Sequence, residues 1–155
     1  MSSEGTSEGT SEGTSEGTSE GTSEGRALVQ LFNDRWNNRD LDGVLACIDG
    51  EMEFDWSDSI GPLRGVYLGR DGMARFWSET WDAWEEFALE VDEVIELGPD
   101  RLVTPTVVRA RGKESGVDVE ASGAMMWTLR NGKIVAGRFF QTREEALKAA
   151  SSERT

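Results

Sequence analysis

A chain of 155 residues with 30 acidic and 16 basic side chains carries a formal charge of −14, which argues against a nucleic-acid partner, whose phosphate backbone would be repelled. It contains no histidine, which excludes Ser-His and Cys-His catalysis and the common histidine zinc sites. No apolar run approaches the ~20 residues needed to span a bilayer and no signal-peptide pattern opens the chain, so a soluble, cytoplasmic protein with no membrane partner is expected.

From Ser3 the tetrapeptide Ser-Glu-Gly-Thr repeats five times through Thr22, and a sixth copy stops at Gly25. The repeat holds nothing apolar to bury, so residues 1–25 are expected to form a disordered acidic tail ahead of a single domain over 26–150, with 151–155 a short C-terminal tail. The six glutamates of the repeat supply −6 of the charge and leave −8 on the remainder, an excess that keeps a small protein soluble. Cys47 is the only cysteine. Among Val44, Leu45, Ala46 and Ile48 it reads as a buried, inert thiol.

Periodicity begins after Arg26. Leu28, Leu31, Phe32, Arg35 and Trp36 share a helical face that the polar cluster Asn37-Asn38-Arg39 interrupts. Asp40 then suits the N-cap of a short second helix carrying Leu41, Val44, Leu45 and Ile48 and stopping at Asp49-Gly50. Glu51 to Trp56 alternates strictly, with Met52, Phe54 and Trp56 on one face of a strand and Glu53 and Asp55 on the other. Ser57 to Arg64 reads as a loop, and Val66 to Leu68 as a brief strand.

In the next stretch, Gly69 to Trp84, the residues Met73, Phe76, Trp77, Thr80, Trp81 and Trp84 recur at steps of three and four. They line one face of a helix that requires a broad concave partner. Period two follows. Phe87 to Leu97 reads as one strand ending at Gly98-Pro99-Asp100, with further strands over about 102–111, 117–129 and 133–141 in an antiparallel meander. Asn131-Gly132 is a two-residue hairpin signal in which both residues need positive φ. Glycines at 112, 123 and 137 are candidate bend points. Thr142 and Glu145 form a capping-box pattern ahead of a short last helix.

This element order, with the segments FNDRWNNRDLDGVLACID, EMEFDW, GVYLGRDGMARFW and MMWTLRNGKIV, resembles the SnoaL-like branch of the nuclear transport factor 2 superfamily. The resemblance covers about residues 26–150. It implies an α+β cone in which a strongly bent antiparallel sheet wraps a long third helix, with two N-terminal helices and a short C-terminal one. A pocket for a small apolar molecule between helix and sheet is implied, and so is a homodimer. No cofactor is implied. The superfamily hosts cyclases, isomerases and hydrolases beside proteins that only bind or assemble, so the fold alone assigns no reaction.

By this resemblance Asp55 falls where ketosteroid isomerases carry a proton-shuttling aspartate, and in an apolar pocket it would gain basicity by desolvation. The isomerases' first-helix tyrosine aligns with Phe32 and their late-strand acid falls near Ala124, so their oxyanion hole does not carry over. Arg109 with Asp118 or Glu120 offers the residue types of the superfamily's epoxide hydrolases, against the simpler reading of a cross-strand ion pair. Trp56, Trp77, Trp81 and Trp127 are candidates to line a cavity for a flat apolar ligand, or to be core. Tyr67 either donates to a ligand or anchors a loop. Asp55 and Asp58 lack calcium-loop spacing, so no metal is expected. Two readings remain: an acid/base isomerase, cyclase or hydrolase using Asp55, and a non-catalytic ligand-binding or dimeric assembly domain with a self-filled core.

Overall fold

A computed structural model describes residues 20–59 and 63–152. The order is α1 (Glu20–Asn37), α2 (Leu41–Ala46), β1 (Ile48–Asp55), β2 (Val66–Leu68), α3 (Gly69–Ala83), β3 (Trp84–Val91), β4 (Ile95–Glu96), β5 (Arg101–Gly112), β6 (Asp118–Arg130), β7 (Lys133–Phe140) and α4 (Arg143–Ser152). The strands form one open, curved sheet in the order β2-β1-β7-β6-β5-β3, with β4 beside β5. Every pairing is antiparallel except β1 with β7. This is the α+β cone expected, with α1 and α3 across its concave face and α4 on its convex face.

Local chemistry sets the ends of these elements. Asp40 caps α2 by accepting from the Gly43 N–H at 2.9 Å. Thr142 Oγ1 accepts from the Glu145 N–H at 3.1 Å at the start of α4. Asn131 and Gly132 turn the β6–β7 hairpin with φ of 54° and 75°, the left-handed values that let a two-residue turn follow the strand twist.

Four boundaries differ from the sequence reading. Helix α1 starts at Glu20, inside the repeat, because a helix once nucleated gains a hydrogen bond per residue. There the bare Cα of Gly25 lies close to Leu129, and a Cβ would stand 2.8 Å from its Cδ1. Residues 1–19, most of the tail expected to be disordered, lie outside the described residues. Helix α2 ends at Ala46, so Ile48 belongs to β1. The strand expected over 87–97 is broken: Val91 pairs Thr106 and Ile95 pairs Val103, which leaves one extra residue between them. Pro105 sits opposite that break and has no N–H for the ladder.

The glycines at 123 and 137 provide space. A Cβ on Gly123 would meet the Phe139 ring at 2.5 Å, and one on Gly137 would meet Phe54 at 3.1 Å. Of the register irregularities, the one at Trp84/Glu86 lies opposite Gly112, the third candidate bend point, while those at Thr128/Leu129 and Ile48/Glu53 fall at none of the three glycines.

The main core lies inside the cone, and Trp36, 1% exposed, is its hub. Its ring meets Phe76, Trp77, Trp81 and Phe87 with centroids 5.1–6.1 Å away. A second cluster joins Val103, Ala124, Met126 and Phe140 on the convex face to Ala146 and Ala150 of α4. The C-terminal end of α1 also covers the free edge of β3. Trp36 Nε1 donates to Phe87 O at 3.2 Å, Asn37 exchanges two hydrogen bonds of 2.9 and 3.0 Å with the Leu89 backbone, and Arg39 donates to Glu85 O. Side chains thus substitute for a neighbouring strand, and an edge that would otherwise template aggregation is closed.

Candidate functional site

The alternation of β1 sends Phe54 and Trp56 into the cone, and at its wide end the aromatics stop short of filling it. A cavity of about 200 Å³ remains there. Trp56, Ser59 and Leu63 bound it from the segment after β1, Trp84 and Phe87 from β3, Val108 and Ala110 from β5, Val119, Ala121 and Ser122 from β6, and Phe139 and Gln141 from β7 and its end. Trp56 stacks on Phe139 with centroids 4.8 Å apart and planes 10° apart. Gly123, by having no side chain, leaves the place that the Phe139 ring occupies. The polar lining groups are Ser59, whose Oγ donates to Trp56 O at 2.8 Å, Ser122, and Gln141, whose amide donates to Asp58 O. None of the twelve lining residues ionises near neutral pH.

Of the eight residues singled out from the sequence, Trp56 is the one at the cavity wall. Asp55 faces away from Phe54 and Trp56, as strand periodicity requires. Its carboxylate, 17% exposed, accepts from Ser57 N at 2.9 Å and Ser57 Oγ at 2.6 Å and stands 3.9 Å from Arg138 Nε. Arg138 also pairs with Asp58 at 3.7 Å. These contacts fix the turn that carries Trp56 and Ser59 to the cavity.

Arg109 and Glu120 lie on the convex face, where Arg109 bridges Glu120 at 3.1 Å and Glu90 at 2.7 Å. The hydrogen bond to Glu90, followed by the charges of Glu120 and Glu90, holds the Arg109 guanidinium further into its charged form. Asp118 pairs with Arg111 at 2.9 Å on the same face. The cross-strand ion pair is therefore what the register builds, and the arginine and carboxylates meet outside the cone.

Trp77 and Trp81 pack on Trp36, and Arg39 covers the Trp81 ring at 3.8 Å. Trp127, 1% exposed, donates from Nε1 to Thr104 Oγ1 at 2.9 Å and meets Phe32 edge-on at 5.1 Å. Trp127 belongs to the core, and Trp77 and Trp81 lie partly buried against that core. Trp84, which shares their helical face in the sequence, turns into the cavity because α3 ends at Ala83 and β3 begins with it.

Tyr67 anchors a loop. Its buried hydroxyl lies 3.0 Å from Leu63 O and 3.1 Å from Glu79 Oε1, with one proton to donate between them. Burial, then the Glu79 carboxylate, pushes its pKa above the usual 10.0. Burial likewise pushes the Cys47 thiol above 9.0, against the opposing charges of Lys133 and Arg35. Both groups favour the folded state while protonated, so their contribution is complete below the unfolded values and is lost as pH rises through the folded ones. Urea unfolding midpoints are expected to fall above about pH 9. In Tyr67→Phe the midpoint should drop at neutral pH by about 1 kcal/mol of stability, and the part of the alkaline decline above about pH 10 should disappear. An unchanged alkaline slope would remove Tyr67 from this account.

Among the described residues no group of three or more histidine, cysteine or acidic side chains could hold a metal ion. Nor is any helix among them long and apolar enough to cross a membrane.

A family model of the SnoaL-like domain matches residues 29–137. Among curated protein sequences none matches. The fold is shared with many solved structures, of which three illustrate it. TerC, co-crystallised with polyporic acid, is 21% identical with a TM-score of 0.69, over 83% of this chain and 98% of its own. An NTF2-like protein of unknown function from Burkholderia pseudomallei is 24% identical with a TM-score of 0.69, over 83% and 98%. RV0760c from Mycobacterium tuberculosis, in complex with estradiol-17β-hemisuccinate, is 16% identical with a TM-score of 0.67, over 78% and 95%.

Proposed function

The chain belongs to the SnoaL-like family, and on that footing we propose that it holds a small, uncharged, largely apolar molecule in the cavity bounded by Trp56, Trp84, Phe87 and Phe139. The observation that carries this reading is the lining: nine apolar or aromatic side chains, two serines and one glutamine, with no acid or base among them. An apolar cavity with a few polar groups to orient its occupant is the usual form of a small-molecule site. A carboxylate entering it would lose its hydration and meet no cation. The ligands in the TerC and RV0760c structures support a ligand-holding role for this fold.

Binding accounts for the geometry better than proton transfer does. General acid–base catalysis needs a titrating group within hydrogen-bond reach of the substrate. Asp55, the candidate for that role, lies on the opposite face of β1 and holds the Ser57 turn. Titration calorimetry with hexanophenone and with 6-phenylhexanoate tests the proposal. The ketone should bind and the carboxylate bind at least ~30-fold more weakly, as a charge left unpaired out of water demands. Asp55→Asn should keep the ketone affinity if the fold is intact. Equal binding of ketone and carboxylate, or loss of ketone binding in folded Asp55→Asn, would count against it. The homodimer expected of the family belongs to the same proposal. Sedimentation at micromolar concentration checks it, and a monomer there would remove it.

A further inference from the structure

The cavity wall formed by β5 and β6 does not end where the cavity does. Val108 pairs with Ala121 and Ala110 with Val119, and all four line the cavity. The residues between them, Arg109, Arg111, Asp118 and Glu120, form ion pairs on the convex face, which places the odd-numbered residues of β6 on the cavity side. Val117 is the next residue on that side. Its carbonyl accepts the Gly112 N–H at 3.0 Å, extending the ladder one step past the end of β6. Val117 is 58% exposed and Val119 42%. Strand β6 pairs with β7 only from Ala124 onward, so over residues 118–122 one edge has no partner strand among the described residues.

We propose that Ala121, Val119 and Val117 form a second apolar subsite that seats the aliphatic tail of a ligand whose body occupies the cavity. The inference rests on the ligand-binding reading above and adds to it the class of molecule: an uncharged head group joined to a linear hydrocarbon chain. Two observations favour a ligand tail as the occupant. Val119 and Ala121 are wall of the cavity and part of the stripe at once, so the apolar surface is continuous from one to the other. A second copy pairing edge to edge in antiparallel fashion about Val119 would set Asp118 against Glu120 of the other copy, and like charges directly opposite are unfavourable. The four residue steps from Ala121 to Val117 span about 13 Å, room for a chain of several carbons beyond the cavity mouth.

A series of phenyl alkyl ketones, acetophenone, hexanophenone and octanophenone, separates the two subsites by calorimetry. Affinity should rise about fourfold per methylene while the chain is enclosed, and about twofold where it lies along the stripe with one side in water. Val117→Thr, which keeps the side-chain shape, should leave acetophenone affinity unchanged and reduce octanophenone affinity about threefold, while Val117→Phe should increase it by a similar factor. If octanophenone binds no tighter than hexanophenone, or binds wild type, Val117→Thr and Val117→Phe alike, the second subsite is overturned while the cavity stands. If acetophenone and hexanophenone both fail to bind, it is the ligand-binding reading that falls. A difference in sedimentation between wild type and Val117→Thr would assign the stripe to a subunit contact and overturn the proposal.

Discussion

Trp36→Ala is expected to lower the stability of the folded domain by about 4 kcal/mol, toward the upper end of the range for removing a large buried aromatic. The reason is that Trp36 joins three elements at once. It belongs to α1, packs edge-on to Trp77 and beside Phe76 and Trp81 of α3, and donates to the backbone of β3 through Phe87 O. Truncation leaves a cavity among four aromatic rings that cannot all move inward, and it leaves one acceptor on the β3 edge without its partner. A domain of this size has about 5–15 kcal/mol to lose, so the variant should unfold at a much lower urea concentration and expose the β3 edge. Trp36→Phe keeps most of the ring contacts, and its loss should be less than half as large. Equal effects from the two substitutions would mean that the hydrogen bond, and not the packing, dominates.

The role of Trp36 also explains why the binding site was less legible in the sequence than the fold. Periodicity identified most of the inward faces, though Leu31, counted with the inward face of α1, is 41% exposed and Val29, left off that face, is fully buried. Leu28, Phe32 and Trp36 do point inward from α1, as do Met73, Phe76, Trp77 and Trp81 from α3, and the Asp40, Thr142 and Asn131-Gly132 signals mark the ends at which elements begin and turn. A facing, however, does not tell whether the inward space is filled. Trp77 and Trp81 meet Trp36, and Trp127 meets Phe32, because α1 lies over that part of the cone. Where α1 does not reach, Trp56 and Trp84 are left bordering open space. That difference is set by how two helices lie across a curved sheet, which no local pattern encodes.

Register hid the rest. Arg109 and Glu120 were readable as partners, and they are, but the face on which they meet depends on whether Val108 or Arg109 lies opposite the cavity. A slip of one residue exchanges the two faces. The same uncertainty concealed Val108, Ala110 and Ala121. Small apolar residues are unremarkable in a strand, and their importance here is that they are too small to close the cavity. For Asp55 the alternation of Glu51 to Trp56 already placed the carboxylate opposite Trp56, and the structure adds what it does there: it accepts from the N–H and hydroxyl of Ser57.

The small side chains along β6 give the strongest test of the cavity. Ala121→Trp is expected to abolish binding of hexanophenone, with an affinity loss of at least ~100-fold, about 2.7 kcal/mol, while changing stability by less than about 1 kcal/mol. Ala121 is exposed and lines the cavity, so an indole there has open space to enter and need not displace a packed neighbour. Tryptophan also suits a strand position flanked by apolar groups, and its Cβ lies on the cavity side together with Val119. The indole would occupy the volume between Trp84 and Phe139 that the ligand requires. Gly123→Ala is the contrasting case. Its Cβ meets the Phe139 ring at 2.5 Å and the Phe140 carbonyl at 2.7 Å, so it should distort the wall and reduce stability and binding together, by about 1–3 kcal/mol in stability. Calorimetry and urea unfolding on both variants separate a filled cavity from a deformed one. Hexanophenone binding retained by a folded Ala121→Trp variant would place the ligand elsewhere on the molecule.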